Sequence, residues 1–477
     1  MKSSAVALSA LALMISSLSL QAESLQDIYE LALENDAQLK SEEAVYLARR
    51  ETEVLGRSQL LPQVVSSYSY QDSDTDVDAT SPDFSDVNPE DGIPTIKTTT
   101  NVDTDTDGYS VSLNQALFDL PAWFSFKSGK EVTREAEATF ASNQQNLIVR
   151  TVEAYLLVLR AQSNLEASRA QERAFERQLE QTQQRFEVGL IAITDVYEAQ
   201  AARDLAQVDR IVDENNVSVA LERLSVLTGQ RHHSLNLLKE DFKIRPPDPI
   251  DRAAWVDFSL ANNFLLEAAE YREEAARQTA MANKMEHAPK VSGGYEYSDF
   301  DVDGSRSVKP DTGVVTQPNS SQEQHLWQVR VDLPLYSGGA ISANRRRAAQ
   351  EFNAAREERI NLSRNIVTNT RSLHMTVISD VSRIAARKQS ITSSKSSVDA
   401  TQAGYEVGTR NVVDVLNAQN VLFSAERDYA NARYDYVLNM MRLKEQAGLL
   451  SPEDILRLDG NLIPPPPPSA STAAATK

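Results

Sequence analysis

Apolar positions recur along this chain with two different periods, and the points where the period changes divide it into elements. From Leu25 to Leu61, the residues Leu25, Ile28, Tyr29, Leu31, Ala32, Leu39, Ala44, Leu47, Ala48, Val54 and Leu55 fall at helical spacing, and Pro62 closes the stretch. A second stretch from about Ala253 to Ala288 behaves alike and is closed by Pro289. After each proline the period becomes two, which predicts strands. Val64, Tyr68 and Tyr70 share a face with Ser66, while Ser67, Ser69 and Gln71 take the other. Tyr109, Val111, Leu113 and Leu117 oppose Ser110, Ser112 and Asn114. Farther on, Val291, Tyr295 and Tyr297 alternate with Ser292, Gly294 and Glu296, and Trp327, Val329, Val331, Leu333 and Leu335 with Gln328, Arg330, Asp332 and Pro334. The pattern predicts four strands of about ten residues, each with one apolar and one wet face.

Beyond the strands, Pro121 to Phe186 and Ala340 to Tyr405 contain no internal proline and are rich in Ala, Gln, Glu and Arg. At ~1.5 Å per residue each predicts a helix roughly 100 Å long. Returning helices are predicted from about Ile193 to Leu227 and from Val412 to Ala447. In the second, Val415, Leu422, Tyr429, Tyr436 and Leu443 recur every seven residues, with Ala418, Ala425 and Ala432 three further on. That is a close-packed coiled-coil seam.

The two halves are copies. Gly404 to Gln419 (GYEVGTRNVVDVLNAQ) repeats Arg185 to Gln200 (RFEVGLIAITDVYEAQ) at an offset of 219 residues, and Pro62 and Pro289 are related by an offset of 227. Gly189 and Gly408 interrupt long helical patterns, so each copy reads as the tip of an antiparallel helical hairpin, and Gly229 and Gly448 stop the returning helices. The expected organisation is a signal peptide over 1–22, a first repeat over 23–229, a linker over 230–252, a second repeat over 253–448, a short segment over 449–463, and a Pro-rich disordered tail over 464–477.

Lys2, the apolar run Ala5 to Leu20 and the small residue Ala22 make the signal peptide an export signal, and no other stretch reaches the ~20 apolar residues of a spanning helix. With no Cys there is neither a disulfide framework nor a lipidated N-terminus, and a formal net charge of −20 excludes nucleic acid as partner. Long acidic loops, Asp72 to Asp107 and Asp299 to Gln324, are expected to join the strand pairs. Asp103-Thr-Asp105-Thr-Asp107-Gly108 imitates the start of a calcium loop, but Asn114 stands where its closing glutamate belongs and a strand follows, so it reads as solvated surface. His232-His233 lies in a connecting segment and reads as surface. The five histidines show no metal-ligand spacing. No phosphate loop or nucleophile elbow argues for an enzyme, and neither cofactor nor metal is expected.

Soluble hairpins with a core face fit the strand alternation as well as barrel strands do. The membrane is favoured because two isolated hairpins between long helices have nothing nearby to cover their apolar faces. Four strands cannot close a barrel, which needs about eight. Several chains must therefore share one.

This succession, with Tyr405-Glu-Val-Gly-Thr-Arg410-Asn-Val-Val-Asp414-Val-Leu, resembles the TolC family of outer-membrane channel-tunnels over about Ser24 to Leu456. The resemblance implies an α+β membrane protein: a homotrimer whose twelve-stranded outer-membrane β-barrel continues as a twelve-helix periplasmic α-barrel of coiled-coil hairpins. It implies an equatorial belt built from the segments after Gly229 and Gly448. It also implies an exit duct for drugs and secreted proteins, seated among outer-membrane lipid and joined to an inner-membrane pump by a periplasmic adaptor. By the same resemblance Asp414 belongs to an acidic ring at the entrance, and Asn417 stands where a second acid is expected. Tyr405 and Arg410 form a closed-state latch facing Asp195 and Thr194. Val188, Gly189, Leu190, Val407, Gly408 and Thr409 are the tips that adaptors engage. The competing reading is a periplasmic coiled-coil scaffold or binding protein with soluble hairpins; a diffusive porin is disfavoured by having only four strands per chain.

Overall fold

The computed structural model describes residues 22–84, 93–309 and 319–465. The expected signal peptide, except Ala22, and the tail from residue 466 onward lie outside the described residues. Two compact units emerge, one of residues up to Arg49, Arg134–Glu270 and Glu357 onward, the other of Arg50–Thr133 and Tyr271–Arg356. Each repeat contributes to both.

The first predicted helix is two helices, α1 (Leu25–Asn35) and α2 (Ala37–Ser58). Asp36 takes an extended conformation between them, and its carboxylate accepts from the Leu39 N–H at 3.1 Å. Arg150 donates to the same carboxylate at 2.6 Å. The second repeat breaks at Asn263, again at an offset of 227, between α5 (Arg252–Asn262) and α6 (Phe264–Lys284). Its Oδ1 accepts from the Leu266 N–H at 3.1 Å. A short Asx side chain offers the backbone an alternative to the helical bond, which apolar periodicity does not register.

In the second unit, β1 (Gln63–Pro82), β2 (Thr95–Phe118), β4 (Lys290–Lys309) and β5 (Ser320–Asp332) run 20, 24, 20 and 13 residues, all longer than expected. They form one antiparallel sheet in the order β1-β2-β4-β5. The two hairpins are therefore not isolated within the chain: β2 and β4 join them. The acidic stretches taken as loops are largely strand, because Asp alternating with Thr and Ser carries the same period of two without apolar residues. Cross-strand bonds replace apolar contacts there, with Thr99 donating to Asp78 at 2.6 Å and Asn101 to Asp74 at 2.9 Å and Asp76 at 3.0 Å. The calcium-like run lies within β2.

Register fixes the faces. Val64, Leu113, Tyr295 and Trp327 stand opposite one another across all four strands, as do Ser67, Ser110, Ser298 and Gln324 on the other side. The ends of the apolar row are open, with Val64 65% and Trp327 77% exposed, while between them Leu113 is 36% exposed and Tyr295 half-buried. Farther from the helices the same face turns acidic, where Asp72, Asp105 and Asp303 are aligned.

The first unit is helical. α3 (Leu120–Glu187) and α7 (Ala340–Glu406) have 68 and 67 residues, and α4 (Ile193–Thr228) and α8 (Val412–Gln446) have 36 and 35. Its main core packs Leu147, Val152, Tyr155 and Leu159 of α3 against Leu25 and Ile28, Leu224, and Tyr436 and Leu443 of the seam. The segments after the stop glycines meet. β3 (Leu237–Leu238) pairs with β6 (Leu462–Ile463), and Asp459 of α9 (Pro452–Asp459) accepts from the Leu25 N–H at 2.8 Å. His232 is not a surface residue, since its Nε2 contacts Thr228 Oγ1 and its Nδ1 contacts Glu23 Oε2, both at 2.5 Å, with the side chain wholly buried. It joins Glu23 to the end of α4. His233 is exposed.

Candidate functional site at the helical tips

The two tips are alike in backbone and different in side chains. Gly189 and Gly408 have φ of +75° and +79°, and a Cβ at either would meet no atom within 4 Å. Glycine is required there by backbone conformation rather than by space. The residues beside them point into solvent, Val188 at 70%, Leu190 at 68% and Val407 at 75% exposure. Three large apolar side chains at the end of long polar helices make a local apolar cap that nothing among the described residues covers. Thr409 is exposed and donates through Oγ1 to the Gly404 carbonyl at 3.0 Å.

α8 starts with its own cap, Asn411 Oδ1 accepting from the Asp414 N–H at 2.8 Å. Asp414 therefore sits in the first turn, where the helix dipole favours an acid. Arg410 Nη1 lies 3.7 Å from its carboxylate, so within the chain the candidate latch cation pairs with the candidate gate acid. Gly404 makes this possible, because a Cβ there would stand 2.8 Å from Arg410 Cγ. Asn417 is exposed one turn on. Asp195 occupies the matching first turn of α4, half-buried, beside exposed Thr194.

Tyr405 is only 3% exposed, packed in a small core with Phe175, Ala199, Ala206, Val412, Val415 and Leu416. Its hydroxyl lies 3.5 Å from Thr182 Oγ1, at the limit of a hydrogen bond, so that contact is weak. The stronger tie is Arg185, whose Nη1 donates to the Tyr405 carbonyl at 3.0 Å and whose guanidinium lies 4.5 Å from the Tyr405 ring centroid. The structure thus joins Tyr405 to Thr182 and Arg185 of α3, and Arg410 to Asp414. Neither Arg185 nor Thr182 was singled out from the sequence. The signal was present as a mismatch between repeats, since Arg185 occupies the position of Gly404 at the offset of 219.

Just behind the tips, a cavity of about 410 Å³ is lined by residues including Arg177, Gln178, Asp399, Glu406 and Gln419. Gln178 Nε2 and Gln419 Oε1 are buried without a hydrogen-bond partner. Among the described residues no group of three His, Asp or Glu gathers in a way that could hold a metal ion.

Comparison with known proteins matches this geometry to a family. The model of the outer membrane efflux protein family matches residues 28–230 and 255–449, one match for each repeat. Outer membrane protein TolC of Vibrio cholerae is 33% identical over 445 residues, covering 92% of this chain and 94% of that protein. The alkaline protease secretion protein AprF of Pseudomonas aeruginosa is 30% identical over 443 residues, covering 92% and 87%. Among solved structures, VceC from Vibrio cholerae superposes with a TM-score of 0.70 at 16% identity, over 89% of this chain and 96% of that one. The CmeC channel of Campylobacter jejuni also gives 0.70 at 16% identity, over 92% and 90%. The four-stranded sheet and paired helical hairpins are this fold, and the chain belongs to the outer membrane efflux protein family, the exit ducts seated in the outer membrane and reaching into the periplasm.

Proposed function

We propose that three copies of this chain close into one duct, a twelve-stranded barrel continued by a twelve-helix tunnel, which receives drugs or secreted proteins from an inner-membrane pump through a periplasmic adaptor. The observation that carries this reading is the four-stranded sheet: among the described residues no strand pairs with the outer edges of β1 and β5, and Val64 and Trp327 at the two ends of its apolar row are 65% and 77% exposed. A bilayer cannot satisfy unpaired strand edges, so they must pair with β5 and β1 of neighbouring copies. The helices make the same demand. On α4, Leu205, Val212, Val219 and Val226 repeat every seven residues yet are 68%, 53%, 43% and 82% exposed. Such a stripe wants a helix from another copy. Light scattering of the detergent-extracted protein is expected to give a trimer, and a monomer or dimer would sink the architecture.

In the ring, three Asp414 side chains form the acidic entrance, with Asn417 a neutral second tier. Arg410, freed from Asp414 or shared with it, reaches Asp195 and Thr194 of the adjoining hairpin, and Tyr405 stands behind it. The tips from Val188 to Leu190 and from Val407 to Thr409 dock the adaptor, whose binding swings the α7–α8 hairpin outward like an iris leaf. Relatives named for protease secretion, AprF and PrtF, and for efflux, BepC, make both cargo classes candidates.

A further inference from the structure

At the helical end of the sheet's apolar band the chain becomes cationic in both repeats. In the second, Leu335 and Tyr336 are 85% and 86% exposed, and α7 then opens Ala-Ile-Ser-Ala-Asn-Arg345-Arg346-Arg347 with all three arginines exposed. In the first, Leu117 and Trp123 are 60% and 44% exposed. Lys127 Nζ stands 5.6 Å over the rings of both Trp123 and Phe124, and exposed Lys130 follows. The opposite limit of the same band carries Asp72, Asp105 and Asp303 instead. The helical edge of the band therefore carries exposed aromatic and cationic side chains from both repeats, in a chain whose net charge is −20.

The first acid in α7 is Glu351, which follows the three arginines and lies 3.6 Å from Arg347. Successive residues turn by about 100° around a helix. Three in a row thus present a guanidinium over most of the circumference, including whichever side faces the bilayer.

We propose that this cationic, aromatic hem binds the phosphate headgroups of anionic phospholipids in the leaflet that faces the periplasm. The inference rests on the reading of the sheet's apolar face as lipid-facing. Continuity with that face sets the hem at headgroup height, where aromatic belts lie. The planar guanidinium matches phosphate bidentately, which a carbonyl-rich or zwitterionic surface does not reward equally. Each basic residue near an anionic surface contributes on the order of fivefold in affinity. Three together give roughly a hundredfold over a neutral surface.

The test is native mass spectrometry of the detergent-extracted oligomer titrated with phosphatidylglycerol, phosphatidylcholine or lipid A. The native protein is compared with the triple variant Arg345→Gln, Arg346→Gln, Arg347→Gln, and with Arg364→Gln elsewhere on α7 as control. The native protein and the control are expected to retain phosphatidylglycerol over phosphatidylcholine by tenfold or more, less so as salt rises, and the triple variant to lose most of that preference. Equal retention of the two phospholipids by the native protein, an unchanged preference in the triple variant, or stronger retention of lipid A overturns the inference. Should the triple variant fail to assemble, the single variants Arg345→Gln and Arg346→Gln are measured. Loss of the oligomer with lipid preference intact would reassign the arginines to a contact between copies and overturn it too. Failure of the native protein to float with phosphatidylglycerol vesicles at all would instead refute the lipid-facing reading of the sheet.

Discussion

Replacing Arg185 with alanine is expected to open the duct. Its guanidinium ties α3 to the end of α7 by two contacts, the 3.0 Å bond to the Tyr405 carbonyl and the 4.5 Å approach to the Tyr405 ring. A hydrogen bond from a charged donor contributes about 1.5–3 kcal/mol net, and a half-buried cation–π contact about 0.5–2 kcal/mol. The lower end of the sum, about 2 kcal/mol per chain, is about thirtyfold in a closed-to-open equilibrium, and the effect recurs in every copy. The exposed Arg410–Asp414 pair contributes about 0–1 kcal/mol by comparison. Both Arg185 contacts cross from the first hairpin to the second, so an outward swing of the second must break them. Single-channel recording in planar bilayers is expected to show higher conductance for Arg185→Ala, and cells carrying it are expected to become sensitive to a bulky antibiotic that normally stays outside. Arg185→Lys, which keeps the charge but not the planar fork, falls between. Tyr405→Phe alone is expected to do little, because the hydroxyl it removes is 3.5 Å from Thr182. Native conductance in Arg185→Ala with trimer levels unchanged would refute the reasoning and leave closure to Tyr405 with Arg410, whose joint replacement by Phe and Ser tests the latch.

Asp414→Ala is expected to weaken cation selectivity, and Asn417→Asp to strengthen block by divalent cations, because an added acidic tier concentrates cations at the entrance; reversal potentials measure both. The tip and stop glycines should differ although both have positive φ. Gly408→Ala costs the left-handed strain of about 1–2 kcal/mol and no more, whereas at Gly448 a Cβ would lie 2.0 Å from the Asn262 carbonyl oxygen, so Gly448→Ala is expected to lose far more in thermal unfolding. Burial raises the Glu445 carboxyl above its ordinary pKa, against a lesser lowering by the bond from Asn146. The folded chain therefore holds that proton more tightly than the unfolded one. The stabilisation is present below the ordinary carboxylate range and is lost as pH rises through the raised value. Glu445→Gln is expected to raise the unfolding temperature above neutrality and to change it little in acid.

The sequence by itself determined which elements exist and that they occur twice. Apolar periods of 3.6 and two are imposed by backbone geometry, and a positive φ at a hairpin tip demands glycine, so the long helices, the alternating strand segments and the turns at Gly189 and Gly408 were legible residue by residue. Where polar side chains replaced apolar packing, that legibility ended. Asp36 and Asn263 cut their helices through local hydrogen bonds, and the Asp/Thr stretches extended the strands by ladders that carry no hydrophobic signal. Only the tertiary structure decided partnerships. It joined β2 to β4, buried His232 against Glu23 and Thr228, turned Arg410 toward Asp414, and set Arg185 on Tyr405, because a contact between residues 220 positions apart depends on how two hairpins pack and leaves no period in the chain. The mismatch of Arg185 with Gly404 was visible as a difference between the repeats. What it does there required the neighbouring hairpin to be in place.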